Sequence, residues 1–105
     1  MASKYEIKLA NAAHNDLDGI FSHITNVLFE EQTAHNIMRE IYGMIFSFCE
    51  MPERFSFSYD SVLAERGYRR AIVKKYVILY LVDNEKRIVN VARVFHGTND
   101  YAKYI

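Results

Sequence analysis

Gly67–Gly97 reads GYRRAIVKKYVILYLVDNEKRIVNVARVFHG, and this stretch decides the fold. Three runs rich in β-branched and aromatic residues, YRRAIV, YVILYLV and RIVNVARVF, are separated by Lys74-Lys75 and by Asp83-Asn84-Glu85-Lys86. Those separators have hairpin-loop lengths, so the runs predict an antiparallel meander. The middle run is apolar throughout and is expected to be a central strand, covered for much of its length. Arg93 and His96 stand three residues apart, which in a regular strand sends their side chains to opposite faces. Arg93 then shares a face with Val89, Val91 and Phe95, where a carboxylate or carbonyl groups are expected to satisfy it.

Working outward, residues 52–67 (PERFSFSYDSVLAERG) alternate aromatics with serines, which suits a short edge strand or a packed loop. Phe55, Phe57 and Tyr59 are expected to anchor that loop on the core rather than to stack on bases. Further back the period is helical. Ala34, Ile37 or Met38, Ile41, Ile45 and Phe48 mark a helix from about Glu31 to Cys49, stopped by Pro52. Ala13, Leu17, Ile20, Ile24 and Leu28 mark another from about Asn11, a plausible N-cap, to Leu28. So short a connection requires the two helices to lie antiparallel, as a hairpin. KYEIKLA at the start alternates like a strand with one solvated face. NDYAKYI at the end is too short to be a stable helix alone.

The order is therefore β-α-α-β-β-β: an α+β fold with a helical hairpin packed on a small antiparallel sheet, which the first strand is expected to join. A chain of 105 residues, half hydrophobic and a quarter charged, suits a single domain spanning residues 1–105. No apolar run approaches the roughly 18 residues of a spanning helix, so no membrane segment is expected. MASKYEIKLA has no long apolar stretch of the kind a secretion signal needs. Cys49 is the only cysteine, which fits a reducing cytoplasm, and between Phe48 and Met51 it is expected to pack as a small apolar group. His14, His23, His35 and His96 have no paired-ligand spacing with it, so no metal and no cofactor is expected.

The zero net charge conceals an uneven distribution. Residues 1–63 hold four Lys/Arg against nine Asp/Glu, and residues 64–105 hold nine against four. Either the halves neutralise each other inside one fold, or the basic half awaits an anionic partner. Arg66, Arg69, Arg70, Lys74 and Lys75 form the best basic patch, with a solvated hairpin edge as its bland alternative.

These patterns, in this order, resemble the RelE/ParE superfamily of bacterial type II toxin–antitoxin toxins over essentially the whole chain. The resemblance begins with YEIKLANAAHNDLDGI and passes through a second helix ending near Cys49-Glu50-Met51-Pro52. Arg69 or Arg70, the Tyr76-x-Ile78-x-Tyr80 strand and the Arg93-Val94-x-His96-Gly97 ending are similar to the ParE-like branch. The resemblance implies a growth-arresting, plasmid-stabilising toxin neutralised by a ParD- or RelB-like antitoxin with an acidic C-terminal segment. ParE-like members act on DNA gyrase without a catalytic constellation. RelE- and YoeB-like members are endoribonucleases that cut mRNA on the ribosome.

Cleavage by 2′-hydroxyl attack needs an acid, a base and cations on the in-line phosphate. Where family ribonucleases often place an arginine after the first tyrosine of the central strand, this chain has Val77; after His96 it has Gly97. The resemblance thus favours the gyrase branch. Under the ribonuclease alternative His96, Arg69 and Arg70 would be catalytic, with the ribosome and mRNA as partners. Under the leading reading His96 is expected to fasten a strand end, with Gly97 at positive φ and Asp100 in the turn. Arg93, His96, Tyr101 and Tyr104, within or next to the Phe95–Ile105 stretch, are the candidates for target contact, and the basic patch for antitoxin contact.

Overall fold

The computed structural model describes residues 4–97. Its elements are β1 (Glu6–Leu9), α1 (Asn11–Ser22) continued by a π-helical turn (His23–Val27), α2 (Glu31–Ser47), a short α3 (Ser61–Glu65), β2 (Arg69–Val73), β3 (Tyr76–Asp83) and β4 (Ile88–His96). Asn11 is the first helical residue rather than the cap. The cap is Ala10, extended at φ −63° and ψ 154°, with no side-chain hydrogen bond. Its own N–H donates to the Val91 carbonyl at 2.9 Å, so the last pairing of β1 and the start of α1 share one residue.

The stripe of the first helix holds through Ile24 and then slips. Leu28 N–H reaches the His23 carbonyl, five residues back, at 3.2 Å. The extra residue in that turn rotates the helix end, so Ile24 is buried whereas Leu28 is 49% exposed. In α2, Ala34, Ile41 and Ile45 are buried as the period requires, and Phe48 caps the helix. Tyr80 stacks on Phe48 with centroids 4.1 Å apart and donates its hydroxyl to the Pro52 carbonyl at 2.7 Å. Cys49 is half-buried beside this core rather than within it.

The sheet order is β1-β4-β3-β2. β2, β3 and β4 form the antiparallel meander, but β1 joins the edge of β4 in parallel, so the sheet is mixed. A strand separated from its partner by the whole helical hairpin is free of the antiparallel constraint a tight turn imposes. The helices cover one face through Ala71, Ile78, Tyr80, Val89, Val91 and Val94, all 2% exposed or less. Each large aliphatic among them contributes about 1.5–3 kcal/mol by leaving water.

A β-bulge corrects the expected facing of Arg93. Tyr80 pairs with Val91 but Leu79 pairs with Arg93, leaving Ala92 as the extra residue. The pleat is thereby inverted, so Val89 and Val91 face the helices, as does Val94, while Arg93 and Phe95 face away.

Between α2 and β2 the chain forms neither an ordinary strand nor a plain loop. Phe57 makes an isolated bridge to Arg69, and Asp60 then caps α3 by accepting from Leu63 N–H at 3.0 Å. Only Phe55 reaches the core as expected, edge-on to Phe48 at 6.0 Å. Phe57 and Tyr59 stand exposed, with the guanidinium groups of Arg69 and Arg70 lying 4.1 and 3.6 Å from their ring centroids. Among the described residues no helix is long and apolar enough to cross a membrane.

Candidate functional site

The end of the sheet where β4 stops gathers most of the chemistry-bearing side chains. β1 ends at Leu9, so among the described residues no strand lies beside the outer edge of β4 beyond Val91. α1 runs there instead. Asp16 accepts from Val94 N–H at 2.9 Å, standing in for a missing strand carbonyl, and also takes both Nε (2.7 Å) and Nη2 (2.8 Å) of Arg93. Both side chains of this pair are largely buried, at 17% and 15% exposure. Arg93, a candidate for target contact, is therefore held by a carboxylate, one of the partners expected for it, although it faces the other way from the expectation. Its guanidinium also lies 4.8 Å from the Phe95 ring centroid.

One turn further, α1 and the end of β4 enclose a depression of about 530 Å³ lined by Asn15, Gly19, His23, Tyr76 and His96 among others. His96 is half-buried and meets the Tyr76 ring edge-on, with centroids 5.6 Å apart. Burial pushes the Tyr76 hydroxyl above its ordinary pKa, so it stays protonated at neutral pH. His96 also reaches the other side of the sheet. There Tyr59, Lys74, Lys75, Val77 and Gly97 line a second depression of about 470 Å³.

Gly97 does not sit at positive φ; among the described residues Gly67, at φ 94°, is the glycine that does. Gly97 serves a close approach instead. Its N–H donates to the Lys75 carbonyl at 2.6 Å, and a Cβ there would lie 3.3 Å from that same oxygen. Asp100, Tyr101 and Tyr104 lie outside the described residues.

The basic patch is not one surface. Arg69 points to the helix side of β2, donates to the Phe55 carbonyl at 2.7 Å and lies 3.8 Å from the Glu53 carboxylate, leaving 15% of its side chain exposed. Arg70 points to the other face and lies against Tyr59, its Nε buried without a hydrogen-bond partner. Lys74 is exposed and 3.8 Å from Glu40 of α2, while Lys75 and Arg66 are exposed.

Nor are the arginines beside His96. Val73, not Arg69 or Arg70, lies across from Tyr76 and hence from His96. The arginines stand roughly 10–13 Å further along β2 and two strand spacings away. Val77 is 7% exposed and pairs with Phe95, itself 5% exposed, so this part of the sheet presents hydrocarbon. Among the described residues no group of three or more His, Cys, Asp or Glu is placed to hold a metal ion.

Sequence reasoning missed Asp16 and His23. Asp16 was legible only as an acid in the early turns of a helix, and nothing in its neighbourhood names a partner 77 residues away. His23 follows Asn15 and Gly19 at four-residue steps along the same helix face, and that spacing was the signal that could have found it.

The family model described as ParE toxin of type II toxin–antitoxin system, parDE, matches residues 7–101. A solved structure of the chromosomal ParDE toxin–antitoxin system from P. aeruginosa superposes with a TM-score of 0.73 at 16% identity, covering 90% of this chain and 98% of that one. The RelBE2 toxin–antitoxin complex from Mycobacterium tuberculosis gives a TM-score of 0.66 at 20% identity, covering 89% and 98%. No curated protein sequence matches. The two structures share the fold, and the residues matched by the family reach from β1 past the end of β4.

Proposed function

Because the chain belongs to the ParE toxin family of type II toxin–antitoxin systems, we propose that it inhibits DNA gyrase by binding and is silenced by a cognate antitoxin in the cytoplasm. The observation that carries this reading is the sheet surface around Val77. A nuclease needs a guanidinium or ammonium on the in-line phosphate, where it is worth several kcal/mol to the transition state. Here a buried Val77–Phe95 pair holds that part of the sheet, and the cations beside Val77, Lys74 and Lys75, belong to the turn at its end rather than to the strand. Arg69 is tied to Glu53 and Phe55, Arg70 to Tyr59, and Arg93 to Asp16. On this reading no side chain performs bond chemistry, and His96 packs on Tyr76 at the strand end.

The antitoxin follows from family membership and from the neighbours, both of which are toxin–antitoxin assemblies. Its acidic segment has Arg66, Lys74 and Lys75 as exposed cations to meet. One observation favours the second reading, ribosome-dependent mRNA cleavage: His96 shares a depression with Lys74 and Lys75, which are cations able to hold a phosphate.

The deciding experiment runs purified toxin in a gyrase supercoiling assay and in a translation reaction scored for mRNA cleavage. Inhibited supercoiling with intact mRNA is expected. Cleavage at codons with unaffected gyrase overturns the proposal, and loss of that cleavage in His96→Ala with an unchanged fold then makes His96 the acid or base.

A further inference from the structure

The connection between α1 and α2 exposes hydrocarbon that the toxin itself does not use. Val27, Leu28 and Phe29 are consecutive and 59%, 49% and 84% exposed. Phe29 also has φ 55°, a conformation glycine adopts freely and a phenylalanine does not. Among the described residues Lys74 and Arg87 share this geometry, but they lie in the turns joining β2 to β3 and β3 to β4. The backbone here needs a left-handed residue, and nothing in the fold needs a benzyl group on it. A contiguous apolar tip of this kind becomes favourable only when something covers it.

Its charge says what covers it. Between Lys8 and Arg39 the sequence contains no Lys or Arg but four acids: Asp16, Asp18, Glu30 and Glu31. Asp16 is spent on Arg93, which leaves Asp18 exposed on α1, and Glu30 and Glu31 exposed directly beside Phe29. The tip is hydrocarbon collared by carboxylates, so it fits an apolar pocket with a basic rim. An acidic antitoxin segment is repelled from such a tip, whereas a DNA-handling enzyme carries basic grooves for phosphates. His23 opens the π-turn leading to the tip and lines the same depression as His96, so one partner can cover both.

We propose that the Val27–Glu31 tip is the surface by which the toxin grips its target, with Phe29 as the anchor in a basic-rimmed apolar pocket of that protein. This rests on gyrase inhibition as the activity.

The test compares wild-type toxin with Phe29→Gly and with Glu30→Gln/Glu31→Gln in supercoiling inhibition, in affinity for the antitoxin and in thermal melting. Phe29→Gly is expected to raise the toxin concentration for half-inhibition by roughly tenfold or more, as loss of a central aromatic anchor does. Its melting temperature should be equal or higher, because glycine relieves the backbone, and antitoxin affinity should hold within about twofold. The double Gln variant should flatten the salt dependence of inhibition. Full inhibition by Phe29→Gly overturns the tip while leaving gyrase inhibition standing. A variant weakened in antitoxin binding but not in inhibition makes the tip an antitoxin contact, and concentration-dependent self-association of the wild type abolished by Phe29→Gly makes it a contact between copies; either outcome overturns the proposal. A wild type that leaves gyrase active overturns the activity and the tip's assignment with it.

Discussion

Asp16→Ala removes three hydrogen bonds at once, and their worth depends on where they lie. Two join Asp16 to the Arg93 guanidinium at 2.7 and 2.8 Å, and the third takes the Val94 amide at 2.9 Å. Removing one partner of a fully buried ion pair costs about 3–5 kcal/mol, because the remaining charge stays desolvated. With 15–17% of each side chain still in contact with water, the lower end applies. An amide left without an acceptor adds about 1 kcal/mol where water cannot reach it. The expected destabilisation is therefore about 3–4 kcal/mol. For a chain of this size that lowers the melting temperature by at least roughly 12 °C.

Urea unfolding and thermal melting measure the total, and a cycle with Arg93→Met isolates the pair, with a coupling of about 1–3 kcal/mol expected. Asp16→Asn keeps an acceptor for Val94 but turns an amide group on the guanidinium, so it should fall between wild type and alanine. Hydrogen exchange at the Val94 amide should accelerate in the alanine variant more than at amides paired between β3 and β4. A loss under about 1 kcal/mol with no coupling would refute the idea that this carboxylate closes the edge of β4.

Tyr80→Phe leaves the Pro52 carbonyl without its 2.7 Å donor and should cost about 1–2 kcal/mol in denaturant unfolding. Burial pushes the Tyr80 hydroxyl up to about 12 from 10.0. The fold thus favours the protonated phenol, and on the order of 2–3 kcal/mol, present below pH 10, should be lost as pH rises toward 12 and be absent in Tyr80→Phe. Arg69→Ala should loosen residues 53–59, seen as faster limited proteolysis there, and Arg69→Lys should not restore protection because an ammonium lacks the fork that reaches Phe55 and Glu53 together. His96→Ala removes the edge contact with Tyr76 and should cost about 1 kcal/mol in denaturant unfolding.

The sheet was legible because each of β2, β3 and β4 carries enough β-branched and aromatic residues to outweigh local alternatives, and because Lys74-Lys75 and Asp83–Lys86 leave few ways to connect them, though the second turn lies one residue later, at Asn84–Arg87. The helical hairpin was legible from its period. What escaped are features set by one-residue shifts. The bulge at Ala92 inverts the pleat under Arg93, yet no side chain in VNVARVF marks it. The π-turn at His23–Val27 rotates Leu28 out of the stripe while its residues still look helical. α3 has too few residues for a period, and only Asp60 hints at its cap. The functional candidates fared according to reach. Arg69, Arg70, Lys74 and Lys75 are close in sequence, but β2 alternates faces and its turn carries the lysines to the far end, so proximity in the chain did not make a patch.

Among the described residues, three ion pairs join the acidic first part of the chain to the basic last part: Asp16 to Arg93, Glu53 to Arg69 and Glu40 to Lys74. Mutual neutralisation is thus real but partial, and the remaining charges are sorted by place. Glu30 and Glu31 remain at the tip of the hairpin; Lys75 remains at the turn beside Gly97. These two groups flank the same end of the sheet, since α1 brings His23 to the depression that holds His96, and the Lys75 carbonyl accepts from Gly97. If the target grips the tip and the antitoxin meets the lysines, the two partners touch different residues yet compete for the same volume. Neutralisation then needs no shared contact, only bulk at the end of β4. If the protein inhibits gyrase, a short antitoxin peptide that binds Lys74 and Lys75 without reaching over the depression between α1 and the end of β4 should accordingly bind the toxin and fail to relieve inhibition. Relief by such a peptide would show that the two surfaces communicate through the fold instead.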